Sequence, residues 1–103
     1  MYKIGIDIVK ISRMENSIKS SSFMKKVFTQ CEKEYCTRSE SFAGIFAAKE
    51  AYFKALGDGI KLPLTEIEVL HDDKGKPYLN GIDNSDLSIS HDGEYAVATV
   101  ILW

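Results

Sequence analysis

Residues 46–57 read FAAKEAYFKALG, and the reading of this stretch decides the fold. Phe42, Ile45, Phe46, Phe53 and Leu56 recur at helical intervals through and ahead of it, giving one apolar side. Gly57 closes the pattern, as the residue type that most readily takes the left-handed conformation after a helix. A second stripe, at spacings of three and four, holds Ala43, Ala47, Glu50, Ala51 and Lys54. Its small members leave room for another backbone or a ligand to come close. Glu50 and Lys54 stand four apart with the acid first, an ion pair worth roughly a few tenths of a kcal/mol if solvated. Taken alone, the helix favours that solvated pair.

On either side of the helix the sequence changes its period. Ahead of it, YKIGIDIVKI places Ile4, Ile6 and Ile8 on one face of a strand over residues 2–8, with Lys3, Gly5 and Asp7 on the other. Near Ser12 the spacing of Ile11, Met14 and Ile18 predicts a helix, interrupted by Ser20, Ser21 and Ser22. Thr29-Gln30-Cys31-Glu32 has the form of a capping box, starting a short helix through about Cys36. Beyond GDGIKLP, Glu66–Leu70 alternates as a strand, HDDKGKP turns, and PYL begins another strand. LSIS leads to His91 and a hairpin turn at Asp92-Gly93, and YAVATVILW closes the chain as an apolar strand. This order predicts an α+β fold: one domain over residues 1–103, its later strands antiparallel and packed against the long helix.

A chain of 103 residues, 45% hydrophobic and 27% charged, has the composition of a folded domain with one modest core. A net charge of −2 gives no general reason to expect nucleic acid. Residues 10–27 nevertheless concentrate Lys10, Arg13, Lys19, Lys25 and Lys26 against a single acid, Glu15. That is either a solvated face or the surface an acidic protein partner would seek. No apolar run approaches the length of a membrane span, and the opening MYKIGIDIVK lacks the form of a signal peptide. Cys31 and Cys36 make no CxxC motif and read as reduced thiols, so a cytosolic location is expected.

Asp7 is out of place between isoleucines in a strand, where aspartate is disfavoured. Either that face of the strand meets solvent, or the carboxylate has a donor or a cation as partner. If Asp7 and Glu50 meet, two carboxylates suit magnesium, which keeps waters and takes further oxygens from a phosphorylated substrate. Lys54, one turn beyond Glu50, would then face the phosphate charge. His91, beside Ser90 at a strand end, is a surface group or a donor to the same cleft. His71 reads as a solvated turn residue, and Asp72 and Asp73 lack the ligand spacing of a calcium loop.

GIDIVKISR at 5–13, FAAKEAYFKALGDGI at 46–60, GKPYL at 75–79 and SHDGEYAVA at 90–98 follow one another in order. Together they resemble the holo-acyl-carrier-protein synthase family, small 4′-phosphopantetheinyl transferases, over nearly the whole chain. The resemblance implies transfer of the phosphopantetheine arm of coenzyme A to a serine of apo-acyl carrier protein, in fatty acid synthesis. It implies Mg2+ on Asp7 and Glu50, and Lys54 on the coenzyme diphosphate. It places His91 and Ser90 by the coenzyme, with Gly57 and Pro77 helping to form its pocket. Arg13 is implied to meet the carrier protein, with Lys19, Lys25 or Lys26 extending the contact where Ser17 and Ser20 replace larger docking residues. The serine proton passes to a metal-held water or to Glu50; magnesium makes a bound carboxylate the poorer base, which favours the water.

Ile45 stands where many members of that family have an arginine on the nucleotide phosphate, and Lys49 is either its stand-in or solvated. The resemblance also implies a homotrimer with sites between subunits. The closing strand, apolar on both faces, fits a subunit interface or a fully covered central position. Two other functions are open to these residues: a silent oligomeric module binding an acidic partner, and a small metal-dependent phosphoesterase. The retention of Asp7, Glu50 and Lys54 argues against the first, and the lack of a further Asp/His cluster against the second.

Overall fold

YKIGIDIVK does form a strand, but the face it buries is the one that carries the aspartate. In the computed structural model, which describes residues 1–103, strand β1 (Lys3–Lys10) turns Gly5, Asp7 and Val9 inward. Ile4, Ile6 and Ile8 remain 59–69% exposed. The cause lies in helix α4 (Ser39–Leu56), which crosses the inner face of the sheet. A Cβ on Gly5 would come within 1.9 Å of the Ala51 carbonyl oxygen, so only glycine lets the helix backbone approach the strand this closely. Ala43, Ala47, Ala48 and Ala51 are fully buried in that contact. The alanine stripe is therefore clearance for the sheet and not, as the sequence also allowed, for a ligand.

The sheet runs β1-β5-β4, all antiparallel, with β4 (Ser85–Asp92) and β5 (Tyr95–Leu102) joined through Gly93-Glu94. Gly93 has φ 59°, as a two-residue hairpin with glycine first requires. The apolar closing strand is thus the central one. Ala96, Ala98 and Val100 lie fully buried under α4, while Val97, Thr99 and Ile101 face outward beside Ile8, Ile6 and Ile4. A separate hairpin pairs β2 (Val69–His71) with β3 (Pro77–Leu79). The strand expected over 66–70 is displaced: residues 64–66 form a 3-10 turn, and pairing starts only at Val69. His71 belongs to that pairing instead of to a solvated turn, and stacks on Tyr35 with ring centres 3.7 Å apart.

Three short helices cover the remaining edge of α4. Helix α1 (Ile11–Ser17) buries Met14. Helix α2 (Ser21–Val27) is absent from the sequence reading, which saw only the interrupting serines. Ser20 in fact caps it, accepting from the Phe23 N–H at 3.2 Å. Helix α3 (Gln30–Tyr35) opens with the expected capping box: Thr29 Oγ1 accepts from Glu32 N and Glu32 Oε1 from Thr29 N.

Candidate active site

Asp7 reaches the inner face because β1 alternates, and Glu50 and Lys54 reach it because they are one helical turn apart on α4. Lys54 donates from Nζ to Asp7 Oδ1 at 3.0 Å. The helical Glu50–Lys54 pair expected from spacing is not formed; the lysine spans from helix to strand instead. Asp7 is 7% exposed, and its Oδ2 is buried without a hydrogen-bond partner. A buried acceptor left unpaired is costly and calls for an explanation. Burial and the neighbouring Asp7 carboxylate push the Glu50 carboxyl up to about 7, against the opposing pull of Lys54.

Lys54 bonds Asp7 alone, and the buried Asp7 Oδ2 has no donor beyond the proton that the raised Glu50 carboxyl can share with it. That donor set fits a hard divalent cation, whose charge relieves the repulsion and whose remaining positions go to water or substrate oxygen. No third His, Cys, Asp or Glu joins them, as a dedicated calcium cage would require.

A cleft of about 230 Å³ opens beside Glu50, walled by Phe46 of α4, Arg13 and Ser17 of α1 and Phe23 of α2. Arg13 therefore shares this cleft with Glu50. Lys19 lies between α1 and α2, and Lys25 and Lys26 in the last turn of α2, all exposed. Of the basic stretch, Arg13 alone lines this cleft.

His91 and Pro77 meet elsewhere, in a second cleft of about 190 Å³ that includes Gly44, Ile45 and Glu40. His91 Nδ1 lies 3.4 Å from Glu40 Oε2. Ile45 and Glu50 are about 140° apart around the helix, so α4 stands between the two clefts. Ser90 does not share the His91 cleft: its register with Val97 puts it on the outer face, beside Val97. Gly57 caps α4 at φ 79°, with its N–H bonded to the Phe53 and Lys54 carbonyls.

Lys49 is neither solvated nor free to replace an arginine. It is fully buried and donates to Glu32 Oε1 at 2.7 Å, the Val27 carbonyl at 2.6 Å and the Leu64 carbonyl at 3.1 Å. Glu32, equally buried, also accepts from Val69 N at 2.8 Å. Burial lowers the Lys49 pKa, while the Glu32 carboxylate works to keep it charged. This pair ties α2, α3, α4, the 3-10 turn and β2 together. Sequence reasoning missed it although both halves were in view, the capping-box glutamate and the lysine beside Glu50.

Residues 3–100 match the family described as the 4′-phosphopantetheinyl transferase superfamily. The holo-[acyl-carrier-protein] synthase of Fusobacterium nucleatum is 40% identical over 96% of both chains. That of Nautilia profundicola is 43% identical over 96% of this chain and 97% of its own. Among solved structures, a holo-(acyl-carrier-protein) synthase from Bacillus anthracis in complex with CoA (3′,5′-ADP) superposes with a TM-score of 0.85. It has 42% identity over 97% of this chain and 94% of that one. The Helicobacter pylori enzyme in complex with coenzyme A also reaches 0.85, at 37% identity over 94% of this chain and 96% of that one.

Proposed function

Because the chain belongs to the 4′-phosphopantetheinyl transferase superfamily, we propose that it transfers the phosphopantetheine arm of coenzyme A to a serine of apo-acyl carrier protein. The pathway served is fatty acid synthesis, in the cytosol. The observation that carries this reading is the group Asp7, Glu50 and Lys54, with the unpaired Asp7 oxygen at its centre. Asp7 and Glu50 would hold magnesium, which supplies Lewis-acid polarisation of a phosphoryl oxygen when bound. Lys54, half exposed, reaches out to neutralise diphosphate charge as the phosphorus–oxygen bond breaks. Phe23 and Phe46 give the flexible arm an apolar wall that excludes water. Arg13, Lys19, Lys25 and Lys26 present positive charge to the carrier; His91 and Pro77 line the coenzyme cleft, while Gly57 follows Lys54 at the end of α4 and Ser90 lies on the outer sheet face, where either would meet the coenzyme only in the assembled site.

The working site lies between protomers of a homotrimer. Two features support this: α4 separates the carboxylates from the His91 cleft within one chain, and an apolar sheet face lies uncovered on the side of β1 opposite Asp7. Each protomer would then supply the carboxylates of one site and the nucleotide cleft of the next.

The test is to incubate the protein with coenzyme A, magnesium and apo-acyl carrier protein, then weigh the carrier. A gain equal to the phosphopantetheine arm is expected, and an unchanged carrier sinks the proposal. Asp7→Ala and Glu50→Ala should each lower kcat by about a hundredfold or more; near-normal turnover removes that residue from the site.

A further inference from the structure

Helix α2 puts Phe23 in the wall of the cleft beside Glu50 and Lys25 and Lys26 on the exposed surface, yet little fixes where it stands. Seven residues make a helix too short to hold its shape unaided. Val27 is buried, and Phe23 packs on Phe28 and Phe46 with ring centres 6.1 and 5.9 Å apart. Apolar contacts of this kind are non-directional, so they hold a helix down without setting its angle or register. One hydrogen bond joins α2 to a segment distant in sequence, and its donor is Lys49 Nζ, 2.6 Å from the Val27 carbonyl oxygen.

Lys49 is also the residue before Glu50. Successive side chains on an α-helix stand about 100° apart. One position of α4 therefore grips α2 while the next faces the cleft that α2 walls. The grip is directional. Its ammonium has three protons and three acceptors, the Val27 and Leu64 carbonyls and Glu32 Oε1. Its charge meets the last carbonyl of α2, the helix end that favours a cation. A fully buried ion pair adds little stability beyond what a well-packed apolar pair would give, so what it distinctively supplies here is fixed geometry.

We propose that Lys49 is a positioning residue: buried away from any substrate, it holds α2 against α4 and so sets how the carrier protein meets Glu50. The inference rests on the transferase reading above and deepens it. There the carrier meets Arg13, Lys25 and Lys26, and its serine enters the cleft between Phe23 and Glu50. A displaced α2 carries Phe23, Lys25 and Lys26 with it, and a misplacement of about 1 Å is enough to slow a reaction severely. The cleft beside His91 contains no residue of α2, so coenzyme binding is spared.

The experiment measures KM for apo-carrier and KM for coenzyme A in the assembled protein with magnesium, for the parent, Lys49→Met and Glu32→Gln/Lys49→Met. The single variant strands the Glu32 charge. The double variant removes both charges and keeps an amide oxygen for one of the N–H groups that Glu32 accepts from, so a folded variant is at hand if the single one unfolds. In a variant folded by circular dichroism, KM for the carrier should rise about tenfold while KM for coenzyme A stays within about twofold. Amide hydrogen exchange should quicken about tenfold over residues 21–28 and stay slow in the middle of α4. A folded variant with the parent's carrier KM, or with unchanged exchange in α2, overturns the proposal. Equal rises in both KM values also overturn it, because general loosening of the core would produce them. A parent protein that transfers nothing to the carrier instead defeats the transferase reading, and this inference with it.

Discussion

Asp7 and Glu50 are held in a position that costs the protein stability at neutral pH. The Glu50 carboxyl rests near 7, above its ordinary value of 4.5. The folded state therefore binds this proton more tightly than the unfolded chain does, and the associated stability is full below about pH 4.5 and lost as pH rises to about 7. Discounted for partial exposure, the loss is about 1–2 kcal/mol. Glu50→Gln should accordingly unfold at a higher temperature than the parent at pH 8 in chelator, with the gain vanishing at pH 4.5. A gain equal at both pH values would disconnect it from the carboxylate. Lys49 carries the opposite expectation. Lys49→Met leaves Glu32 buried and uncompensated, and should cost about 3–5 kcal/mol in urea unfolding, whereas Lys76→Ala, at an exposed pair, should cost under about 1 kcal/mol. That Asp7, Glu50 and Lys54 would come together was legible because a strand aspartate and a helix Glu/Lys pair are each conspicuous in one segment. The role of Lys49 was not legible, since its partner is seventeen positions away in sequence and joins it only through tertiary packing.

Among elements, the contact of β1 with α4 sets the site. Gly5→Ala would drive a methyl group into the Ala51 carbonyl, and the backbone there has no slack to yield. The expected outcome is a chain that is unfolded or heavily destabilised; a variant with a normal melting temperature would mean that helix and strand are free to separate. The α+β order and the long helix followed from periodicity. Which face of β1 turns inward did not, because alternation fixes the period and leaves the direction open. Isoleucine outranks glycine and aspartate in any scale of hydrophobicity, yet the closeness of the Ala51 carbonyl decided the matter. Helix α2 escaped for a different reason: serines that break helices in their interior also cap them. Phe23 of α2 and Arg13 of α1 line the same cleft, and Arg13 is its one basic group, so Arg13→Glu should raise KM for the carrier about tenfold while leaving KM for coenzyme A nearly unchanged. Equal rises would contradict a docking role.

For the whole molecule, the outward face of the sheet is the feature that the fold itself leaves unexplained. Ile4, Ile6 and Ile8 line up beside Ile101, Thr99 and Val97 with no element over them. In the proposed trimer this face is where neighbours meet. Ile6→Glu, at a position 59% exposed, should leave the protomer folded by circular dichroism, reduce its mass in sedimentation to that of one chain, and abolish transfer. An active single chain would refute the shared site.

Helix α4, standing between its own two clefts, has a genetic consequence. If each centre draws its acidic half from one protomer and its imidazole half from the next, damage to the two halves is separable. Asp7→Ala chains alone and His91→Ala chains alone would both be inert. Co-expressed in equal amounts and assembled at random, they would recover roughly a quarter of the normal centres, since each needs one intact half from each of two neighbours. Two dead alleles of one gene would then support growth together, and their failure to do so would place both halves in the same chain.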